Sequence, residues 1–229
     1  MVLWSGTRAR KPFRFLTLLL SVCLLLSLSA PSGFAQFFSV EMTPLERMPS
    51  GLYKLDQTHA SLTWKVKHLG LSNYTARFAQ FEADLKMDVK YPANSHLNVT
   101  ICVMCLKTDF PFAAELDFDQ VLASGKEWLN GERYPQMSFQ SKRIEITGKN
   151  TANVHGDLTM LGKTHPLILH VIFNGAYQKK FLTNVPALGF SATATLNRSD
   201  WGFTTLIPIV SDKVDIIIEA EFDKISNGF

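Results

Sequence analysis

Two cysteines have the spacing of thiol–disulfide chemistry. Cys102 and Cys105 form a CxxC motif, which in redox proteins opens a helix whose dipole lowers the pKa of the thiol. Here the motif follows an alternating apolar segment, and three extended residues would separate the two Cα atoms by roughly 10 Å. Because a disulfide tolerates roughly 7 Å, we expect two buried thiols on opposite faces of a strand. A disulfide closed by a bulge near Met104, or a redox pair, are the alternatives.

The histidines are the candidate metal ligands, and they are scattered along the chain. The six are His59, His68, His96, His155, His165 and His170. His165 and His170 are five residues apart, which on a strand places them on opposite faces. The sequence has no HExxH motif and no cluster of His with carboxylates at metal-ligand spacing, so we expect no metal site. His68 is expected to be a buried, hydrogen-bonded turn residue, with contact to a ligand's polar group as the alternative.

Arg198 and Asp200 are the remaining charged candidates. They lie two residues apart on a segment that we expect to be extended, and therefore on one face. We expect a structural network around Trp201, with recognition of a polar ligand group by Arg198 as the alternative. The chain has neither a GxSxG elbow nor a persuasive Ser/His/Asp arrangement, so nothing here indicates an enzyme.

The segments that must position these residues are predicted to be strands. Apolar residues alternate with polar ones in five segments: 61–66, 81–89, 97–103, 188–196 and 214–222. Residues 154–173 are expected to form a hairpin with its turn at Gly162-Lys163. A short helix is expected in Phe112–Ser124, within a helical insertion near residues 112–130. Short connections indicate an antiparallel, all-β domain of eight to ten strands, closed as a barrel or folded as a sandwich.

Some strands are apolar at nearly every position, for example Leu167–Leu169 and Ile216–Ile218. Such strands bury both faces, or turn one face to a lipophilic cavity. A barrel of about eight strands is wide enough to hold one slender ligand.

The N-terminal residues 1–35 are expected to be a cleaved secretory signal peptide. A basic stretch, Arg8 to Arg14, precedes an apolar core, Phe15 to Leu28, which as a helix would span roughly 21 Å of a bilayer core of roughly 30 Å. An uncleaved anchor is the alternative. Four of the 23 Lys and Arg residues lie in this leader, which leaves 19 against 20 Asp and Glu. This balance gives no support for nucleic-acid binding. Residues 36–50 are expected to form a lead-in, and the mature protein is expected in the periplasm.

A set of short motifs resembles the YceI-like family of bacterial secreted proteins. Their order and spacing carry the resemblance, which covers roughly residues 51–224: Tyr53-x-Leu55-Asp56-x-x-His59-Ala60-Ser61, Val66 to Ser72, Phe78-x-x-Phe81, Tyr134-Pro135-x-Met137-x-Phe139-x-Ser141, Gly156 to Thr164, and Arg198 to Gly202. The resemblance implies a lipocalin-like antiparallel β-barrel over residues 51–229. It also implies that this barrel holds an isoprenoid or other lipid chain, with a role in quinone metabolism, transport, storage or stress response. It implies no catalytic residues.

Within such a barrel nine residues are candidates to line the lipid cavity, unless they fill a solid core: Trp64, Phe81, Leu85, Val99, Ile101, Phe139, Leu169, Phe190 and Ile216. His68 and Arg198 are the candidates for contact with a lipid headgroup. We expect a binding protein with an isoprenoid or polyprenyl lipid, including a quinone, as its ligand and no further cofactor. An enzyme or redox protein using Cys102 and Cys105, and a structural envelope protein with a filled barrel, are the alternatives. Transient membrane contact and a homodimer are further expectations.

Overall fold

A computed structural model describes residues 41–225 of the chain. The predicted leader and residues 36–40 of the lead-in lie outside this range. Along the described chain run β1 (Gly51–His68), β2 (Ser72–Phe78), β3 (Phe81–Met87), β4 (His96–Cys102), β5 (Leu106–Lys107), α1 (Phe118–Ser124), β6 (Gln136–Ile146), β7 (Thr151–Met160), β8 (Lys163–Tyr177), β9 (Ala187–Asn197) and β10 (Val210–Lys224).

The strands close into an antiparallel barrel of eight. Their order around the barrel is β1-β3-β4-β6-β7-β8-β9-β10, and β10 pairs back onto β1 with Trp64 opposite Ile216. Strands β2 and β5 extend the sheet from the second half of β1. Each of the eight strands therefore pairs with a neighbour on both sides, while Ser72–Ala76 of β2 pair with β1 alone. The predicted lipocalin-like, all-β barrel of about eight strands with a short helix is confirmed.

Buried and exposed side chains alternate along these strands, and this alternation shows why the segments form the wall. In β3 the side chains of Phe81, Ala83, Leu85 and Met87 are buried, and the residues between them are exposed. In β1 the buried positions shift from odd to even numbers, because a bulge interrupts its pairing with β10 between Leu55 and Ala60. The bulge lets one long strand keep its apolar side turned inward along its whole length.

The hairpin of β7 and β8 turns on Leu161 and Gly162, one residue earlier than predicted. Both residues have positive φ angles, 52° and 74°, as a two-residue type I′ turn requires. Gly162 adopts this conformation without the steric cost that a side chain would add.

The helix begins later than predicted, at Phe118 instead of Phe112. Asp117 stands at its N-cap, where its carboxylate accepts a hydrogen bond of 3.0 Å from the amide of Gln120. Residues 111–115 form turns. Leu122 and Ala123 are the buried residues of the helix. In residues 41–225 no helix is long and apolar enough to cross a membrane.

Cys102 and Cys105 form a disulfide, with their Cα atoms 5.3 Å apart. The prediction of two separated thiols is wrong because it assumed an extended chain. Residues Val103–Cys105 instead form a 3₁₀ turn at the end of β4, which shortens the Cα separation. The disulfide, stated above as an alternative, is the arrangement the structure adopts.

Candidate functional site

Two cavities lie inside the barrel, of about 450 Å³ and about 200 Å³. We call the end of the barrel where β1 finishes and β10 begins the upper end, and the opposite end the lower end. The larger, upper cavity reaches His68, Leu206 and Val210 at the upper end. The smaller, lower cavity reaches residues 148–151 at the lower end. Both cavities share four lining side chains, so they meet at one level of the barrel: Leu62, Val99, Leu169 and Ile218.

The structure brings all nine predicted cavity residues to the lining. The upper cavity contacts Trp64, Ile101, Phe139 and Ile216, the lower cavity contacts Phe81, Leu85 and Phe190, and both contact Val99 and Leu169. Space therefore remains inside the barrel that a solidly packed core would not leave. The part of these residues in binding a ligand stays a prediction.

The lead-in contributes to the lower cavity, which the sequence did not indicate. Residues Leu45–Arg47 form a 3₁₀ turn, and Leu45 lines the lower cavity. Met48 is buried in the core. A hydrogen bond of 2.7 Å from the Thr43 amide to the Ala176 carbonyl ties the segment to the end of β8. The lead-in therefore forms part of the lower end of the barrel.

Few polar side-chain groups belong to residues that line the upper cavity: those of His68, Ser72, Tyr74 and Arg198, and the indole nitrogens of Trp64 and Trp128. Trp64 Nε1 and the Tyr74 hydroxyl are buried and have no hydrogen-bond partner among the described residues. Burial raises the pKa of Tyr74, and the negative charges of Asp119 and Asp109 act in the same direction while a contact with Thr108 opposes them. Tyr74 is therefore neutral at physiological pH.

Arg198 is buried beside the upper cavity, but its guanidinium is already engaged. Its N–H groups donate to the carbonyls of Ser211 (2.9 Å), Val210 (2.9 Å) and Phe203 (3.2 Å), and it lies over the Phe203 ring at 4.6 Å. Burial lowers the pKa of Arg198, and the nearby charge of Asp212 opposes that effect. Arg198 thus holds the loop after β9 against the start of β10, as one of our two interpretations expected.

The predicted placement of Arg198 and Asp200 on one face of an extended segment is wrong. Residues Arg198–Trp201 form a 3₁₀ turn, not an extended segment, and Asp200 is exposed. The carboxylate near the turn is Asp212, which accepts hydrogen bonds from the amide and the hydroxyl of Ser199 at 2.8 Å and 2.6 Å. Trp201 is buried and donates to the Leu158 carbonyl at 3.1 Å.

His68 is exposed at the upper end, so the prediction of a buried turn residue is wrong. It is the last residue of β1, opposite Ser72 and Val210, where the wall of the barrel ends. His68 also borders the upper cavity. Its contact with a lipid headgroup stays a prediction.

A charged cluster that the sequence did not predict lies at the lower end. The Lys180 side chain is 12% exposed, and its Nζ lies 2.5 Å from Asp56, 2.8 Å from Glu221 and 3.2 Å from Asp223. Burial alone would lower the pKa of Lys180, but the hydrogen bonds to these carboxylates outweigh it and hold the pKa well above its usual value. Lys180 lies 124 residues from Asp56 in the chain, so no local pattern could reveal the cluster.

Asp56, His59 and Glu221 offer ligand atoms that lie within 4.8 Å of one another. Burial would raise the pKa of Asp56, but hydrogen bonds from Lys180, Thr58 and His59 outweigh it and hold the pKa well below its usual range. The ammonium of Lys180 already contacts both carboxylates of this group. The cluster therefore carries its own cation, and we assign no metal to it.

Known proteins resemble this chain in both sequence and structure. A family model described as a YceI-like domain matches residues 53–222. A UPF0312 protein of Pseudomonas putida strain GB-1 is 36% identical over 152 residues, which cover 66% of this chain and 75% of that protein.

Among solved structures, the Campylobacter jejuni YCEI protein aligns with a TM-score of 0.58 and 25% identity, over 71% of this chain and 91% of that chain. A polyisoprenoid binding domain from Saccharophagus degradans aligns with a TM-score of 0.53 over 77% of this chain and 100% of that domain. Its identity is 10%, so this second likeness shows the fold alone.

Proposed function

The chain belongs to the YceI-like family, and we propose that it is a secreted, periplasmic binding protein that holds an isoprenoid-type lipid inside its barrel. Transport, storage or a stress response is the role proposed for it, and a quinone is included among the proposed ligands. The observation that carries this proposal is the pair of apolar cavities that meet inside the barrel.

The size and chemistry of the cavities suit a lipid chain. The upper cavity, at about 450 Å³, lies within the roughly 300–1,000 Å³ of ligand pockets in general. Each CH₂ group removed from water contributes roughly 0.8 kcal/mol. An apolar chain of some ten carbons or more therefore gains enough free energy to bind, even where its packing against the wall is loose.

The structural neighbour from Saccharophagus degradans supports the class of ligand. It is described as polyisoprenoid-binding, and it shares the fold of this chain. Flexible isoprenoid chains suit two cavities that meet inside the barrel, because each prenyl unit can bend independently. A homodimer stays a prediction.

Binding is favoured over catalysis by the composition of the lining. Among the described lining residues of both cavities there is no Asp, Glu or Cys. A general acid–base mechanism needs a titratable group within hydrogen-bond reach of its substrate. The titratable side chains in this lining are His68, Tyr74 and Arg198 in the upper cavity and Lys149 in the lower cavity, so the lining offers no carboxylate or thiol for such a step. Cys102 and Cys105 are joined to each other, and neither lines the two cavities.

The test is to purify the secreted protein gently from an envelope fraction, record its mass under native conditions and extract the bound lipid. We expect a stoichiometric isoprenoid or quinone. A protein that is free of lipid after gentle purification, and that takes up no isoprenoid afterwards, would contradict the proposal.

Two variants localise the site. Ile101→Glu and Phe190→Glu place a carboxylate in the upper and lower cavity, where it is poorly solvated, and we expect both to lose bound lipid. The control is Ile168→Glu on the outer face of β8, where the side chain is already 39% exposed. Unchanged lipid in a folded Ile101→Glu protein would place that residue outside the binding site.

A further inference from the structure

Four large apolar side chains are exposed together at the upper end of the barrel. Leu69 and Leu71 stand on the turn between β1 and β2, and Leu206 and Ile209 stand on the loop before β10. Leu71 is 84% exposed, and the other three are about half exposed. We call these four residues the upper rim.

The upper rim is held in place by backbone hydrogen bonds. The Leu69 amide donates to the Ile209 carbonyl at 2.8 Å, which joins the two loops, and the Val210 amide donates to the Leu206 carbonyl at 2.8 Å. Leu69 and Leu206 have φ angles of 51° and 60°, a left-handed conformation that bulky residues rarely adopt. The fold therefore fixes these leucines at the surface in a conformation that they disfavour.

The upper rim borders the opening of the upper cavity. Leu206 lines the cavity and is also half exposed. Val210 and His68, which are neighbours of rim residues in the chain, line the cavity too. A continuous apolar path thus leads from the interior of the barrel to the exposed surface of the rim.

The loops of the upper rim carry no formal charge. Residues 69–76 and 201–211 contain no Asp, Glu, Lys or Arg. The charges that flank these segments are of both signs: the exposed Lys67 near the end of β1, whose backbone amide is bonded to the Ser211 hydroxyl at 2.9 Å, and Asp200 and Asp212 on either side of residues 201–211. An apolar surface without charges of its own can enter the headgroup region of a bilayer without burying a charge.

The lower end has exposed apolar residues as well, but in a different electrostatic setting. Phe181 and Leu182 are 85% and 88% exposed. They follow Lys180, which is surrounded by Asp56, Glu221 and Asp223. Phe181 and Leu182 line neither cavity, and docking there would bring these charged side chains toward the headgroup region, so we assign the membrane-facing role to the upper end alone.

We propose that the upper rim docks on a membrane surface, so that the lipid enters and leaves the barrel through the upper opening. This inference rests on the proposed function, because it concerns the route of the same ligand. The rim residues then insert at the level of the headgroups, and the ligand passes from the bilayer to the cavity along apolar surface. The partner is a lipid surface and not a protein.

The test compares two equally exposed leucines at opposite ends of the barrel. Leu71→Glu alters the upper rim, and Leu182→Glu makes the same change at the lower end. Each protein is mixed with vesicles of phosphatidylethanolamine and phosphatidylglycerol in a ratio of about 3:1, with and without geranylgeraniol as the isoprenoid probe. Co-sedimentation measures docking, and lipid extracted from the protein measures transfer. A urea titration checks that both variants are folded.

We expect Leu71→Glu to reduce vesicle binding and the rate of geranylgeraniol transfer by about tenfold, since an inserted leucine is replaced by a carboxylate. Leu182→Glu should match the parent protein. Equal effects of the two variants, a larger effect of Leu182→Glu, or a dimer that Leu71→Glu converts to a monomer would overturn the proposal.

The two proposals fail in different ways. If the barrel does not bind isoprenoids, the parent protein will sediment with vesicles but take up no geranylgeraniol. If the upper rim does not dock, the parent protein will take up geranylgeraniol from dilute solution but will not sediment with vesicles.

Discussion

Gly156 is the position at which one added methyl group should disturb both the fold and the cavity. It lies in β7 opposite Ser141 of β6. A Cβ atom built there would lie 2.4 Å from Cζ of Phe139 and 2.4 Å from the Gln140 carbonyl oxygen. Ordinary carbon contacts are about 3.5–4.0 Å, so the ring and the β6 backbone would each have to move by about 1 Å.

The cost of Gly156→Ala follows from these contacts. Overpacking a closed core costs about 1–3 kcal/mol, and the upper part of that range applies because a backbone oxygen cannot rotate away. Replacing Gly by Ala also restricts the unfolded chain, which returns about 0.4–1 kcal/mol. We therefore expect a net loss of about 2 kcal/mol in the free energy of unfolding. For a domain of this size that corresponds to a fall in Tm of about 4–8 °C.

Gly189→Ala is the matched control. Gly189 lies in β9 with no atom closer than 3.7 Å to an added Cβ, so its replacement should be neutral or slightly stabilising. Urea unfolding of both variants measures the difference. Unfolding of Gly156→Ala at the same urea concentration as Gly189→Ala would mean that the contacts around Gly156 do accommodate a methyl group.

The same substitution should also affect the ligand. Phe139 lines the upper cavity, so the added methyl group would push the Phe139 ring away from the barrel wall and into that cavity. We expect Gly156→Ala to retain less lipid than Gly189→Ala. In a Phe139→Leu background the clash with Cζ disappears, so the stability cost of Gly156→Ala should fall. The contact with the Gln140 carbonyl remains, and the relief should therefore be partial.

Two further predictions concern the charged cluster around Lys180 at the lower end and the disulfide. Asp56→Asn should lower the free energy of unfolding at pH 7 by about 1.5–3 kcal/mol, because it removes a charged acceptor of Lys180. The pKa of Asp56 in the folded protein lies below its usual value, so its contribution to the free energy of unfolding is complete above about pH 4 and is lost as the pH falls. Urea unfolding curves of the parent protein and Asp56→Asn should therefore converge in acid. A difference in stability that stays constant with pH would contradict this role of Asp56. Replacing Cys102 and Cys105 together by Ser opens a loop of four residues and should lower the free energy of unfolding by about 2 kcal/mol, because the unfolded chain gains loop entropy. The lipid content should stay unchanged. A large loss of bound lipid would show that the disulfide has a part in binding.

The sequence by itself determined the wall of the barrel and what faces its interior. Alternation of apolar and polar residues is a local property of an extended chain, so segments such as 81–87 and 214–222 could be recognised without knowledge of their neighbours. Once a strand has one apolar face, that face must turn inward, and this is why Trp64, Ile101 and Phe190 could be placed on the lining. The motifs of the resemblance supplied the choice of a closed barrel over a sandwich.

The tertiary structure decided the features that depend on where strands end and how they close. Cys102 meets Cys105 because β4 ends in a 3₁₀ turn, and His68 is exposed because β1 ends at the upper opening. Lys180 reaches Asp56 across 124 residues, through the closure of β10 on β1. Lys180 and Asp56 belong to parts of the chain that share no local pattern. Their geometry follows from the register of the closed sheet, which the sequence of a single strand does not contain.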